Sequence, residues 1–458
     1  MNPLARELEQ LLPPEDRLLD PADCWSYGAD NSKLHAVPDA VAFVRDAETV
    51  AELVRLCRRL RVPLTSRGRG TGTTGAVVPD HGGLVVSFER MNRILEVDPD
   101  NRWLIAEPGV TNGEVQHAAG AHGFFWPPDP TSSAFCTLGG NLAYNSAGPH
   151  AVKYGTPRDN TLGLAAVAGT GEPFRTGVHT TKGVVGYDLT RLLIGSEGTL
   201  AILTEATLRL TPKPETTRLI QAVYRDVGAA ARAVARIMRR PEGPAALEFM
   251  DHGALEMIRA YAQDCDLPPD AGAILMIETD GSSNAIAATT EAIRDAASGE
   301  GCLATTIAET AEQAQALWRL RKALSPALRT VAPKKINEDV VVPVSRIPAL
   351  IDGLDELGRR HGIRIVNFGH AGNGNIHVNL LVNPDDPDEM VAAERCLDAV
   401  FALVLGLGGT LSGEHGIGLV KRPFIARELD PTALDLMAAV KRSFDPDNIL
   451  NPGKAPGR

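Results

Sequence analysis

The chain has 458 residues, of which 44 % are apolar and 22 % charged, and a net charge of −11. That length suits two or three domains, and the acidic balance argues against nucleic acid or an anionic membrane as a partner. No apolar run approaches the ~18 residues of a membrane helix, and the start, MNPLARELEQLLPPED, lacks a secretory apolar core. The six cysteines form no C-x-x-C pair, which excludes an in-chain ferredoxin-type cluster and gives no disulfide framework, so a reducing cytoplasm is the default compartment.

Residues 1–35 read as a short helix, a Pro-Pro break and a polar loop. Ala40–Val44 predicts a strand, and Ala47–Leu60 a helix with Val50, Leu53, Val54 and Cys57 on one side. Val62–Ser66 is a strand entering the glycine loop Arg67–Gly75. Leu84–Phe88 and Trp103–Ala106 are further strands, and a helix starts near Asn112. Gly139–Gly155 reads as loop, and Gly163–Gly169 and Gly198–Leu210 as strands. Pro212-Lys213-Pro214 marks a boundary, since two prolines in three residues stop regular structure. Beyond it, strands at Thr217–Tyr224 and Ala273–Thr279 and helices at Ala229–Met238 and Ala285–Ala297 suggest an α+β second domain. Ala399–Leu407 reads as a buried helix end, and Asp445–Lys454 as a turn-rich tail returning to the first domain.

The loop SRGRGTGTTG contains G-x-G-x-x-G at Gly70, Gly72 and Gly75. A dinucleotide fingerprint would open a helix there, but the chain continues as Ala76-Val77-Val78-Pro79-Asp80. The better reading is a nest of backbone N–H groups, with Arg67 and Arg69 interleaved, that converges on a pyrophosphate. PPDPTSSAFCTLGGNLAYNSAG (127–148) and YDLTRLLIGSEGT (187–199) are similarly rich in small and hydroxyl residues. Three such stretches suit a long phosphate-linked ligand.

IVNFGHAGNGNIHVNLLV (365–382) predicts two strands around a type I′ Asn373-Gly374 loop. That register sets His370 opposite His377, with Asn379 on the same face. Two imidazoles so placed can share a metal ion. SGEHGIG (412–418) adds the carboxylate of Glu414 and a third imidazole, His415, in a tight glycine-rich backbone. Two histidines and a carboxylate with open positions form a catalytic-metal pattern.

Together RGRGTGTTG, PPDPTSS, TLGGN, KYGTPRDN, GYDLTRLLIGSEGTLAILTEATLRLTPKP, GHAGNGNIHVN, GEHGIG and NPGK resemble the FAD-linked D-2-hydroxyacid dehydrogenases. These vanillyl-alcohol-oxidase-type flavoproteins include D-lactate and D-2-hydroxyglutarate dehydrogenases and the flavin subunit of glycolate oxidase. The resemblance implies an α+β fold with a two-subdomain PCMH-type FAD-binding domain (1–214), an α+β cap or substrate domain with the metal site (215–440), and a segment returning to the FAD domain (441–458). It places the FAD pyrophosphate on the backbone of Arg67, Gly68, Arg69, Gly70, Thr71 and Gly72. Further flavin contacts fall on Pro128, Thr131, Gly139, Gly140, Asn141, Glu197, Gly198 and Ile202. No histidine occurs in residues 66–75, so FAD is expected to be non-covalent.

The resemblance also makes His370, His377 and Glu414 the ligands of a divalent metal, Zn²⁺ favoured over Mn²⁺ or Fe²⁺. It makes His415 the base and Arg321 the substrate-carboxylate arginine, with Asn379 and Ser325 as further substrate contacts. Arg321 borders a helical apolar stripe of Leu317, Leu320, Leu324 and Leu328. Three positions depart from the family pattern. Asn337 stands where dicarboxylate-oxidising relatives carry lysine, Lys334 and Lys335 being out of register; Asn373 replaces an aspartate; and Ala147 replaces a common glycine. The expected activity is oxidation of small D-2-hydroxy acids, D-lactate first and glycolate second, to 2-oxo acids. Electrons would pass to an iron–sulfur subunit, an electron-transfer flavoprotein, a cytochrome or a quinone, with any membrane attachment made through that partner. The alternatives are D-2-hydroxyglutarate dehydrogenase, disfavoured by Asn337, and a non-catalytic flavin-binding subunit of a larger oxidase.

Overall fold

A computed structural model describes residues 3–261 and 267–454. It divides into two compact units, the first made of Met1–Gly148, Gly155–Lys213 and Glu414–Arg458, the second of Pro149–Tyr154 and Pro214–Gly413.

The first unit holds two main sheets and a two-stranded ribbon of Phe124–Phe125 with Thr211–Pro212. In the four-stranded one, Ala40–Phe43 and Leu64–Arg67 both pair in parallel with Leu84–Ser87. Helix Ala47–Leu60 is the crossover between the outer two of the parallel strands, Ala40–Phe43 and Leu64–Arg67, which leaves the place between them for Leu84–Ser87. Asp46 caps that helix at the Thr49 N–H, and Val50, Leu53, Val54 and Cys57 are fully buried. The other sheet is antiparallel, in the order Ile94–Asp98, Trp103–Ala106, Ala201–Arg209, Thr161–Ala168, Pro173–Gly177.

Two expectations for this unit change. Of residues 139–155, read as loop, this unit holds helix Leu138–Tyr144, and the second unit holds helix Ala151–Tyr154. The first is capped by Thr137 and ended by Asn145 in the left-handed region, local devices that outweigh the low helix propensity of Gly139-Gly140. The returning segment, expected from 441, begins at Glu414. Its helix Pro431–Phe444 packs Val440 and Phe444 on the unit's core, and Lys441 Nζ donates to the carbonyls of Thr199 and Leu450.

The second unit is a seven-stranded antiparallel sheet. Its order is Cys302–Ile307, Thr216–Tyr224, Ala273–Gly281, Ala246–Asp251, Arg364–His370, Asn375–Val382, Lys334–Val341. The two-residue hairpin loop is not formed. Ala371–Asn373 makes a turn of 3₁₀ helix and Gly374 follows in the left-handed region, φ +73°. The Gly374 carbonyl accepts from the Val342 N–H, which draws the loop out to four residues. His370 therefore pairs with Asn375, and His377 with Phe368. The register differs from the expected one by two residues, an even number, so both histidines keep the same face.

A Cβ at Gly374 would run into the carbonyl oxygen of Val342. Gly374→Ala should lower stability by more than about 1 kcal/mol. Gly120→Ala, where the space is open and φ is ordinary, should not. Equal denaturation midpoints for Gly374→Ala and the wild type would contradict this hairpin geometry.

Candidate active site

In the first unit a cleft runs between the glycine loop and the start of helix Leu138–Tyr144. Arg67, Gly68, Arg69, Gly70, Thr71, Gly72, Thr131, Gly139, Gly140, Asn141, Glu197 and Gly198 line it, with Glu414 and His415 at one end. Two residues expected there are placed otherwise. Ile202 turns its side chain into the core, and strand alternation gives the cleft Ala201 and Leu203 instead. Pro128 contributes a carbonyl that accepts from Asn112 Nδ2 at 2.9 Å.

The loop's backbone has a definite polarity. Asn31 holds the carbonyls of Thr71 and Gly72 at 3.3 and 2.8 Å. In a trans peptide the following N–H points the opposite way, so the N–H groups of Gly72 and Thr73 face away from Asn31. The Arg67 guanidinium is tucked under the loop, donating to the Ala29 carbonyl at 2.7 Å, and a Cβ on Gly70 would strike it. Thr73 Oγ1 is buried with no hydrogen-bond partner. An anionic ligand with acceptor oxygens fits a surface of this kind, which satisfies the requirement of a flavin pyrophosphate.

Glu197 stands beside the cleft in left-handed backbone, φ +52°. It accepts from the N–H groups of Ile417 at 2.5 Å and Gly418 at 2.8 Å, fixing the turn after His415. Thr74 Oγ1 holds the His415 carbonyl, and the Glu414 carboxylate accepts from the Gly148 N–H at 3.0 Å.

In the second unit the strand pairings gather Glu248, His370, His377, Asn379, Asn337 and Asp339 on one sheet face. The rings of His370 and His377 stand edge to face, centroids 5.1 Å apart. Asn379 Nδ2 donates to the carbonyls of Val366 and His377, which fixes the amide, and its Oδ1, like that of Asn337 opposite, is buried without a partner. Asp339, directly across from His377, accepts from the Gly413 N–H at 2.7 Å. Arg321, on helix Ala311–Val331, lies 4.5 Å above the Phe368 ring. The Leu324 and Leu328 of its stripe are buried and Leu317 partly so. The side chains of Leu320 and Ser325 lie outside the described residues.

The sequence reading missed Glu248. This carboxylate is 3 % exposed, hydrogen-bonds His370 Nδ1 through Oε1, and takes Arg321 Nε at 3.3 Å on Oε2. Burial opposes its charge, but His370 and Arg321 outweigh that and hold its pKa at about 2. A lone carboxylate inside the otherwise apolar strand ALEFM was the available signal.

Burial, opposed by the two N–H groups and by Lys421 and Lys454, raises Glu197 to about 7. A carboxyl raised above its unfolded value contributes stability at low pH that is lost as pH rises toward 7. In flavin-free protein, Glu197→Gln and the wild type should therefore unfold alike at pH 4.5, with the variant relatively more stable by pH 8. A constant difference across that range would contradict the assignment.

Residues 213–455 match the family model described as FAD linked oxidases, C-terminal domain, and residues 38–177 match that of the FAD binding domain. The chain is 40 % identical to the glycolate oxidase subunit GlcD of Bacillus subtilis, covering 94 % of this chain and 91 % of that protein. It is 33 % identical to a D-lactate dehydrogenase of Anaerostipes hadrus, covering 92 % and 90 %. Among solved structures it resembles substrate-bound p-cresol methylhydroxylase with a TM-score of 0.81 at 17 % identity, covering 100 % and 96 %, a likeness of fold. With its PCMH-type α+β fold, this chain belongs to the FAD-linked oxidase family that includes glycolate oxidase subunit GlcD and the FAD-linked D-lactate dehydrogenases.

Proposed function

We propose that this chain is a metal-assisted dehydrogenase of small D-2-hydroxy acids, D-lactate first and glycolate second, yielding 2-oxo acids. The observation that carries the proposal is the second unit's sheet face, where one buried carboxylate holds an imidazole and a guanidinium and a second imidazole stands edge to face against the first. Relatives that are a glycolate oxidase subunit and a D-lactate dehydrogenase support the substrate class.

Bound FAD supplies a hydride acceptor, and a divalent cation, zinc favoured over manganese or iron, supplies Lewis acidity toward the substrate hydroxyl. His370, His377 and Glu414 are the residues proposed to hold the cation. The Glu248 bond to His370 Nδ1 leaves Nε2 as that ring's ligand atom. Glu414 follows directly on Gly413, which Asp339 anchors opposite His377. The FAD pyrophosphate is assigned to the 67–72 backbone, with Thr131, Gly139, Gly140, Asn141, Glu197 and Gly198 along the cleft.

Arg321 meets Glu248 through its Nε and Nη2 side. The end-on Nη1 and Nη2 pair is assigned to the substrate carboxylate, in fork geometry. His415 is assigned the hydroxyl proton, as the family pattern implies, an imidazole nitrogen being a proton acceptor when neutral. Asn379 and Asn337 present neutral acceptors beside the site, a poor setting for a second carboxylate and a reason to favour monocarboxylates over 2-hydroxyglutarate. Ser325 is retained as a substrate contact from the family pattern. Electrons leave through an external acceptor: an iron–sulfur subunit, an electron-transfer flavoprotein, a cytochrome or a quinone. None of the described helices is long and apolar enough to cross a membrane, so membrane attachment, if it occurs, is assigned to the partner.

Mixing the flavin-loaded protein anaerobically with paired D- and L-2-hydroxy acids should bleach flavin absorption with the D series alone, and 2-hydroxyglutarate should act poorly. His415→Ala should slow bleaching by D-lactate about 10²–10⁴-fold. Bleaching by the L series, or an unslowed variant, would refute the assignment. Acid precipitation should release the flavin, as non-covalent binding requires.

A further inference from the structure

Glu248 is an expensive residue to bury. Taking a carboxylate out of water costs several kcal/mol unless partners compensate, and its same-face neighbours along the strand, Ala246 and Met250, are apolar. Its partners divide cleanly between its two oxygens. Oε1 receives His370 Nδ1 and Oε2 receives the guanidinium of Arg321. The register sets Glu248 directly across from His370, so backbone pairing fixes this contact and no mobile loop takes part. Arg321 arrives from a helix and is steadied by the face of Phe368.

An ionised carboxylate can only accept, so the shared hydrogen belongs to Nδ1, and in that tautomer Nε2 is the nitrogen that carries the lone pair. The same negative charge orients the guanidinium. We propose that Glu248 is a positioning residue that acts in two directions. It locks His370 in the Nδ1–H form, with Nε2 presented as a metal ligand, and it aims Arg321 at the substrate carboxylate. This rests on the metal-assisted reading above and deepens it. Glu248 itself is assigned no contact with cation or substrate. One side chain thereby couples the cation-binding arm to the carboxylate-binding arm, and losing it disturbs both.

Two variants separate these effects. In Glu248→Gln an amide oxygen can still accept from Nδ1, while the amide NH₂ faces Arg321 donor to donor. In Glu248→Leu both contacts are lost and the part-buried Arg321 guanidinium is left without its counter-charge, which destabilises the unit; the nearly isosteric Glu248→Gln keeps every readout below available if the leucine variant does not fold.

The first readout uses metal-free protein labelled with ¹⁵N-histidine, with the His370 ring assigned by its loss in His370→Gln. The wild type should show a protonated Nδ1, and Glu248→Leu should shift His370 toward the Nε2–H form. A wild-type His370 with a bare Nδ1 overturns the inference whatever the metal does. The second readout is zinc affinity by chelator competition. Glu248→Leu should bind zinc 10–100-fold more weakly, and Glu248→Gln should fall between it and the wild type. The third is flavin reduction in zinc-saturated protein, where Glu248→Gln should raise the D-lactate concentration for half-maximal rate. His377→Ala is the control. Zinc held equally by the wild type and His377→Ala would sink the metal reading itself. Zinc lost from His377→Ala but held at wild-type strength by Glu248→Leu would overturn the role of Glu248 and leave the metal reading intact.

Discussion

One buried carboxylate organises the polar face of the seven-stranded sheet. Glu248 is held ionised by His370 and Arg321, and each of those is held in turn by it. A buried charge of this kind is tolerable only when its partners are fixed, so the arrangement constrains side chains on two strands and one helix at once. Asp339 acts likewise on the other side of His377, tying down Ser412 and Gly413 before the chain reaches Glu414. The chemistry proposed for this face needs side chains at fixed separations, and antiparallel strands provide that better than loops do.

The first unit works through backbone instead. Asn31 turns two loop carbonyls aside, and Glu197 gathers two N–H groups of the segment after His415. Glycines let the main chain come close where a Cβ would collide, as at Gly72 against the Tyr144 ring. An anionic, phosphate-linked cofactor is suited to such a surface because N–H groups bind phosphate without needing a particular side chain.

Much of this was legible in the sequence because its signals were periodic. Val50, Leu53, Val54 and Cys57 announced a helix face, and the histidine-bearing strands announced a hairpin. The loop inside that hairpin was misread, since a tertiary hydrogen bond from Val342 overrode the local Asn-Gly preference. The shared face of His370 and His377 survived the error because a two-residue slip preserves strand parity. Helix Leu138–Tyr144 escaped notice because its glycines mask a cap that only Thr137 and Asn145 reveal. Glu248 escaped because its significance depends on His370, 122 positions away in sequence, and no local pattern connects them.

Anomalous diffraction from crystals grown without chelator, recorded at the zinc, manganese and iron absorption edges, tests the central claim most directly. The account requires a peak about 2.0–2.1 Å from His370 Nε2, shared with His377 and Glu414, with Glu248 on the far nitrogen of the His370 ring. Crystals of active, flavin-loaded protein with no peak there, or a peak on His370 Nδ1, would contradict it.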